Sequence, residues 1–299
     1  MERQVDMTEK TTQNPEEAFV GKDLGAMDFT VTDELIQHYF EGLEVDSEWY
    51  SDSSLYGKAF SPSMILTNVD TGFAGAGFKD NFGNLWIRQE WEMLKPMLQG
   101  ETYRKSSKIE DIYQWRDRTV VKQKVTLWSA DNEVMALGTH HQSFLLGKRD
   151  QEQGTVKLRD PKQKEGIRKF QVPDGEAVGP VESDISLEMC GTFFHGNRSY
   201  HTSEEAAKEL GFDRVVVGGR MTMSYIGDMM DRRFGKGWFE GGKLDIKFTN
   251  IVWPDDHVTI KGVITDRVDE NGSTRANVAV WVENQDGAVC VVGTASALE

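Results

Sequence analysis

VVVGGRMTMSYIGDMMDRRF, residues 215–234, decides the fold. Three valines run into a double glycine, Gly218-Gly219. Met221, Tyr225, Ile226, Met229, Met230 and Phe234 then recur at helical spacing. Their apolar face is broad, as expected of a helix that becomes buried. Gly235 and Gly237 stop it, and the period changes. Leu244, Ile246 and Phe248 alternate with Asp245 and Lys247, and Val258, Ile260 and Gly262 with Thr259 and Lys261. Ala276, Val278, Val280 and Val282 form a third strand pattern. Val289, Val291, Gly293 and Ala295 form a fourth, joined to the third by the Asp286-Gly287 turn. A buried helix followed by long alternating strands predicts an α+β layer, one antiparallel sheet wrapped around one helix.

Upstream, Tyr200-His201-Thr202-Ser203-Glu204-Glu205-Ala206-Ala207 reads as a helix start, with a Thr/Ser cap and acidic residues in the first turn. The helix ends at Gly211, and Ile185–Cys190 is expected to be a strand. His201 stands on the loop before the cap. An imidazole near a glycine-opened helix start supplies a proton carrier and a set of backbone N–H donors.

The first half repeats this order. Pro62 to Phe78 is an apolar, glycine-rich helical candidate, followed by strands near Leu85–Trp91, Thr102–Ile109, Val120–Trp128 and Val134–Leu145. The hairpin from Asp131 to Thr139 matches the one from Asp286 to Thr294 in Asp, Val, Gly and Thr. The repeated order predicts two copies of one fold in tandem. The segments are a flexible start at 1–29, a first domain at 30–147, a charged, Gly- and Pro-rich linker at 148–180 and a second domain at 181–299.

The chain has 299 residues, 38% hydrophobic and 28% charged, with a net charge of −15. The charge argues against nucleic acid or an anionic membrane as partner. No apolar run approaches the ~18 residues of a membrane span, and the start lacks the apolar core of a signal peptide. Only Cys190 and Cys290 occur, so a reduced cytoplasmic setting is expected.

The second half resembles a MaoC-type hydratase domain of the hot-dog superfamily. The resemblance rests on His201-Thr202 with its Glu-Glu-Ala-Ala helix, Gly211-Phe212, Val217 to Met221, Gly242 to Phe248 and Gly293-Thr294-Ala295. The first half is similar to the divergent N-terminal hot dog of tandem MaoC-like proteins, through Trp49-Tyr50, Gly57, Phe60-Ser61-Pro62 and Trp86 to Glu92. The implied fold is a tandem double hot dog, each antiparallel sheet wrapped around a central helix. The implied activity is reversible hydration of a 2-enoyl thioester of coenzyme A or an acyl carrier protein. No separate cofactor is implied, and a homodimer is. Hydrolysis by a hot-dog thioesterase and non-catalytic acyl-thioester binding are the alternatives.

In this resemblance Gly218, Gly219, Arg220 and Met221 bind the substrate, with the N–H of Gly219 or that of Arg220 on the thioester oxygen, and His201 is the acid–base group. The family loop reads Asp-x-Asn-Pro-x-His, and here it is Gly196-Asn197-Arg198-Ser199-Tyr200-His201. The Asp position is glycine. His195 or Asn197 in place of that Asp gives an altered hydratase. Asp46, in the first half, is a carboxylate for hydration or hydrolysis. Loss of chemistry leaves a binder.

Other motifs carry less. His140-His141 lies in an alternating strand, so the two rings point to opposite faces and cannot share a metal ion; no metal is expected. Arg88 to Glu92 reads equally as an outward-charged strand or as part of the cleft between halves. Gly75-Ala76-Gly77 lacks a dinucleotide context, and no GxSxG nucleophile elbow occurs.

Overall fold

A computed structural model describes residues 17–51, 55–147 and 170–299. The first half runs β1 (Asp23–Thr30), α1 (Asp33–Leu43), α2 (Glu48–Ser51), a 3-10 helix (Ser63–Asn68), then β2 (Leu85–Met93), β3 (Thr102–Trp115), β4 (Arg118–Trp128) and β5 (Val134–Phe144). The second runs β6 (Glu176–Ile185), α3 (Leu187–Phe193), α4 (Glu204–Glu209), α5 (Gly219–Phe234), α6 (Lys236–Phe239), then β7 (Lys243–Phe248), β8 (Asp256–Glu270), β9 (Ser273–Asn284) and β10 (Val289–Leu298).

Among the described residues, ten strands form one antiparallel sheet, ordered β1-β3-β4-β5-β2-β7-β10-β9-β8-β6. Outward from the centre, the first half reads β2, β5, β4, β3, β1 and the second β7, β10, β9, β8, β6. The same motif is thus laid down twice about the β2–β7 seam, where Gln89 faces Ile246 and Trp91 faces Leu244. Pairing two half-sheets at their open edges satisfies backbone groups that would otherwise invite aggregation. On the outer face Arg88 clamps Asp245 across the seam, Nε to Oδ1 at 2.8 Å and Nη2 to Oδ2 at 2.7 Å.

The central helix α5 is buried along most of its length, from Met221 to Asp231. Val258, Ile260, Val278, Val280 and Val291 of the sheet join it in one core with Tyr225, Ile226 and Met230. At Gly227 the helix touches the first half so closely that a Cβ would fall 2.3 Å from Met64 Cγ. Arg232 and Arg233 close its last turn, where cations complement the helix dipole.

Four expectations need correction. The helix expected over 62–78 reduces to the six residues of the 3-10 helix. Thr67, Val69 and Thr71 are β-branched, and Gly72 and Gly75 take positive φ (83° and 76°), so an α-helix cannot propagate. The strand expected at 185–190 is the start of α3, because Ser186 caps it: its Oγ accepts from Met189 N at 3.1 Å. Strand β1 begins at Asp23, inside the segment expected to be flexible. Strand β6 begins at Glu176, inside the expected linker, most of which lies outside the described residues. Helix α1, capped by Thr32, was not anticipated.

Candidate active site

The loop 194–203 is fixed by its own polar side chains. Thr202 Oγ1 donates to Asn197 O at 2.6 Å and accepts from Ser199 N at 3.0 Å, and Asn197 Nδ2 donates to Phe194 O at 2.8 Å. Ser203 then caps α4. This bracing presents His201 at the start of α5. Its ring stacks on Phe194 at 4.9 Å and lies 3.8 Å from the Tyr200 ring. His201 Nδ1 lies 2.8 Å from the Val216 carbonyl. A carbonyl only accepts, so Nδ1 carries the proton and Nε2 keeps its lone pair. Burial lowers the ring's pKa to about 4, partly opposed by the Val216 hydrogen bond, and nearby Arg220 lowers it further. His201 is therefore neutral at pH 7.

His201 lines a small cleft, with a cavity volume of about 80 Å³, together with Leu85, Trp86, Gly219, Thr222, Phe248 and Asn250. Two elements meet there: the start of α5 and the first residues of β2. Gly218 is the α5 cap, without a side-chain cap bond, and Met221 N already bonds Gly218 O. The N–H groups of Gly219 and Arg220 belong to the first helical turn and have no acceptor inside the helix. Side chains are excluded here by contact. A Cβ on Gly218 would sit 2.3 Å from the Phe194 ring and 3.6 Å from His201 Cδ2, and one on Gly219 2.8 Å from Phe248.

The remaining expected site residues are dispersed. Met221 is wholly buried in the core and does not line the cleft. Asn197 is exposed, its amide spent on the loop. His195 adopts φ 57° and turns its ring to His38 of α1, 4.2 Å away. With Glu34 these two form a group of donor atoms within 4.8 Å of one another, brought together from separate elements although the sequence announced no cluster. Asp46 pairs with Arg232 at 3.4 Å, in the last turn of α5. A 16-residue helix is roughly 24 Å long, so Asp46 serves the opposite end from Gly219. The cleft-lining residues among those described include no carboxylate.

Trp86, Thr222, Phe248 and Asn250 were missed as site residues. Trp86, Thr222 and Phe248 belong to strand or helix patterns that read as packing, and Asn250 lies in the bend after β7; only the fold brings the four to one cleft.

Arg220 points toward the first half. Its guanidinium hydrogen-bonds Asn68 Oδ1 and lies over the rings of Phe193 and Phe194, at 5.6 and 5.4 Å. Burial lowers its pKa to about 10, against the pull of Asp70.

Residues 196–287 match the family model of the MaoC like domain. No curated protein matches the sequence. Among solved structures, a MaoC-like dehydratase is 13% identical, with TM-score 0.67 over 93% of this chain and 98% of its own. A MaoC-like dehydratase from Phytophthora capsici is 16% identical, with TM-score 0.65 over 93% and 96%. A conserved hypothetical protein from Mycobacterium tuberculosis, described as having a double hot-dog fold, is 10% identical, with TM-score 0.64 over 94% and 96%. The protein thus resembles the double hot-dog MaoC-like proteins, in fold along almost the whole chain and in sequence over residues 196–287.

Proposed function

We propose that the protein catalyses reversible hydration of a 2-enoyl thioester, of coenzyme A or an acyl carrier protein, in the cleft between His201 and the start of α5. One observation carries the reading: a neutral imidazole with a free Nε2 lines the same cleft as the open N-terminus of a buried helix. The N–H groups of Gly219 and Arg220 hold the thioester oxygen, and the helix dipole favours the negative charge that develops there. His201 takes a proton from water as the oxygen adds to Cβ. The imidazolium then returns a proton to Cα, so the two carbons gain the elements of water. Asn250, on the cleft wall, offers Oδ1 to the water, because its Nδ2 already donates to Val289 O at 2.6 Å.

Hydrolysis through Asp46 loses its support, since that carboxylate lies at the far end of α5. The assay is incubation with crotonyl-CoA, following both enoyl absorbance and free thiol. Absorbance loss without thiol is expected. Thiol release would instead mean a thioesterase, and neither signal across a range of enoyl chains would mean a binder. His201→Ala should lower the hydration rate by about 10²- to 10⁴-fold. In the wild type kcat/KM should be level from neutral pH downward and fall only as pH approaches about 4, where His201 becomes charged. An unchanged rate in His201→Ala would remove this mechanism.

A further inference from the structure

The sheet's inner face differs between the halves. At one level it runs Gln123 of β4, His140 of β5 and Gln89 of β2, then Ile246 of β7 and Gly293 of β10. The second half covers its apolar part with the 16 residues of α5; over the polar part, among the described residues, lies Asp70, just past the six-residue 3-10 helix. More polar groups gather over that stripe. Asp70 Oδ2 lies 3.0 Å from His140 Nδ1. Lys105 Nζ donates to the carbonyls of Asn68 and Thr71 at 3.0 and 2.7 Å. Arg220 enters from the other half through Asn68.

This is an expensive way to fill a protein interior, and it is incompletely satisfied. Asp70 is 4% exposed, yet its Oδ1 has no hydrogen-bond partner, and neither do Thr67 Oγ1 and Arg220 Nε. Thr67, Asp70 and Arg220 therefore bury a hydroxyl, an acceptor and a donor without partners. The stripe adjoins the cleft through Trp86. That ring stacks on His140 at 4.8 Å on one side, while a Cβ on Gly219 would lie 3.2 Å from its Cε3 on the other. Arg220 follows Gly219 directly in the chain. A hydrocarbon tail reaching past Trp86 would bury these open polar atoms against methylenes; an oxygen function would bond them.

Accepting the thioester reading of the cleft, we infer that Asp70, His140, Arg220 and Thr67 form a subsite for an acyl group bearing an oxygen function, a carboxylate or a hydroxyl, rather than a hydrocarbon tail. Lys105 and Arg220 outweigh Asp70 by one positive charge, which suits a carboxylate. The unpartnered Asp70 Oδ1, an acceptor, and Arg220 Nε, a donor, suit a hydroxyl, which both donates and accepts.

Calorimetry on the full chain tests this without turnover, using butyryl-CoA, hexanoyl-CoA, glutaryl-CoA and 4-hydroxybutyryl-CoA. At least one of the last two should bind tenfold or more tightly than both alkyl thioesters; which one does distinguishes carboxylate from hydroxyl. Equal or tighter binding of the alkyl thioesters overturns the subsite and leaves the thioester cleft intact. Absence of binding by all four overturns both readings. His140→Gln and Asp70→Asn should bring the preference to within twofold while butyryl-CoA affinity changes less than threefold. A lowered Tm with the preference intact would show a purely structural network and overturn the proposal.

Discussion

The two halves share strand order and register, yet they differ in what lies against the sheet. In the second half an uninterrupted helix, α5, shares one cluster with Ile246, Val280 and Val291, and the result is an apolar core. In the first half Asp70, just past the short 3-10 helix, meets Gln123 and His140, and His140 in turn meets Gln89, and the result is a largely buried polar network. The repeated strand order gives one sheet whose inner edges need both halves to pair. One helix provides the N-terminus at the cleft, and the half with the shorter helix carries the polar stripe. Ile246 and Gln89 are register neighbours across the seam, so a single step along the sheet crosses from one regime to the other.

The largest effect expected from probing this contrast is at Ile246, which is fully buried. Ile246→Gln places an unpartnered amide in the apolar half and should cost about 3–4 kcal/mol. Gln89→Leu leaves His140 Nδ1 its Asp70 partner and should cost no more than about 1–2 kcal/mol. Urea denaturation of both variants measures the difference; equal costs would mean that the halves are not physically distinct.

A somewhat smaller effect belongs to Asp231, at the far end of α5, where the halves also meet. It is fully buried and accepts from Ser63 N at 3.1 Å. The Tyr50 hydroxyl lies 2.8 Å from Asp231 Oδ2 and 3.0 Å from Asp228 Oδ1. One hydroxyl proton serves one of these carboxylates, so the arrangement is complete when Asp231 is itself protonated. Burial accordingly raises its pKa from 3.8 to about 7, beyond what the Ser63 and Tyr50 hydrogen bonds restore, and Asp228 adds to the rise. Between those values the folded chain holds a proton that the unfolded chain has released, so this group's contribution to stability falls as pH rises from about 4 to about 7. The fall should be roughly 3 kcal/mol, and Asp231→Asn should remove it from a series of denaturation curves at different pH. A wild type and variant with parallel pH dependence would show that Asp231 is charged in the fold.

The smallest effect is expected on the outer face, where the halves are joined but not distinguished. Arg88 and Asp245 are each about one-third exposed, at 33% and 39%, so their bidentate pair is screened by solvent. Arg88→Ala should cost about 0.5–1 kcal/mol, less at high salt. A cost of several kcal/mol, insensitive to salt, would make this pair and not the buried contacts the main tie between halves.

Much of this protein was written locally. The alternation of Leu244, Ile246 and Phe248, the helical spacing from Met221 to Phe234 and the repeated helix-then-strands order determine a tandem α+β fold, because periodicity depends only on neighbouring residues. The Ser203 cap and the glycines opening α5 were legible for the same reason. Other features depend on residues far apart in the chain. The 3-10 helix, kept short by its local sequence, is seated by the second half: Trp238 Nε1 donates to Ser63 Oγ at 3.0 Å, and Met64 lies against Gly227. His140 read as an unremarkable strand residue until Asp70, seventy positions earlier, was brought to its ring. Asp46 read as a candidate carboxylate until the fold placed it at the wrong end of α5. Local sequence determined the elements and the histidine at the start of α5. Which polar groups share a buried space with that start was decided by tertiary structure alone, because pairing β2 with β7 sets two distant halves face to face.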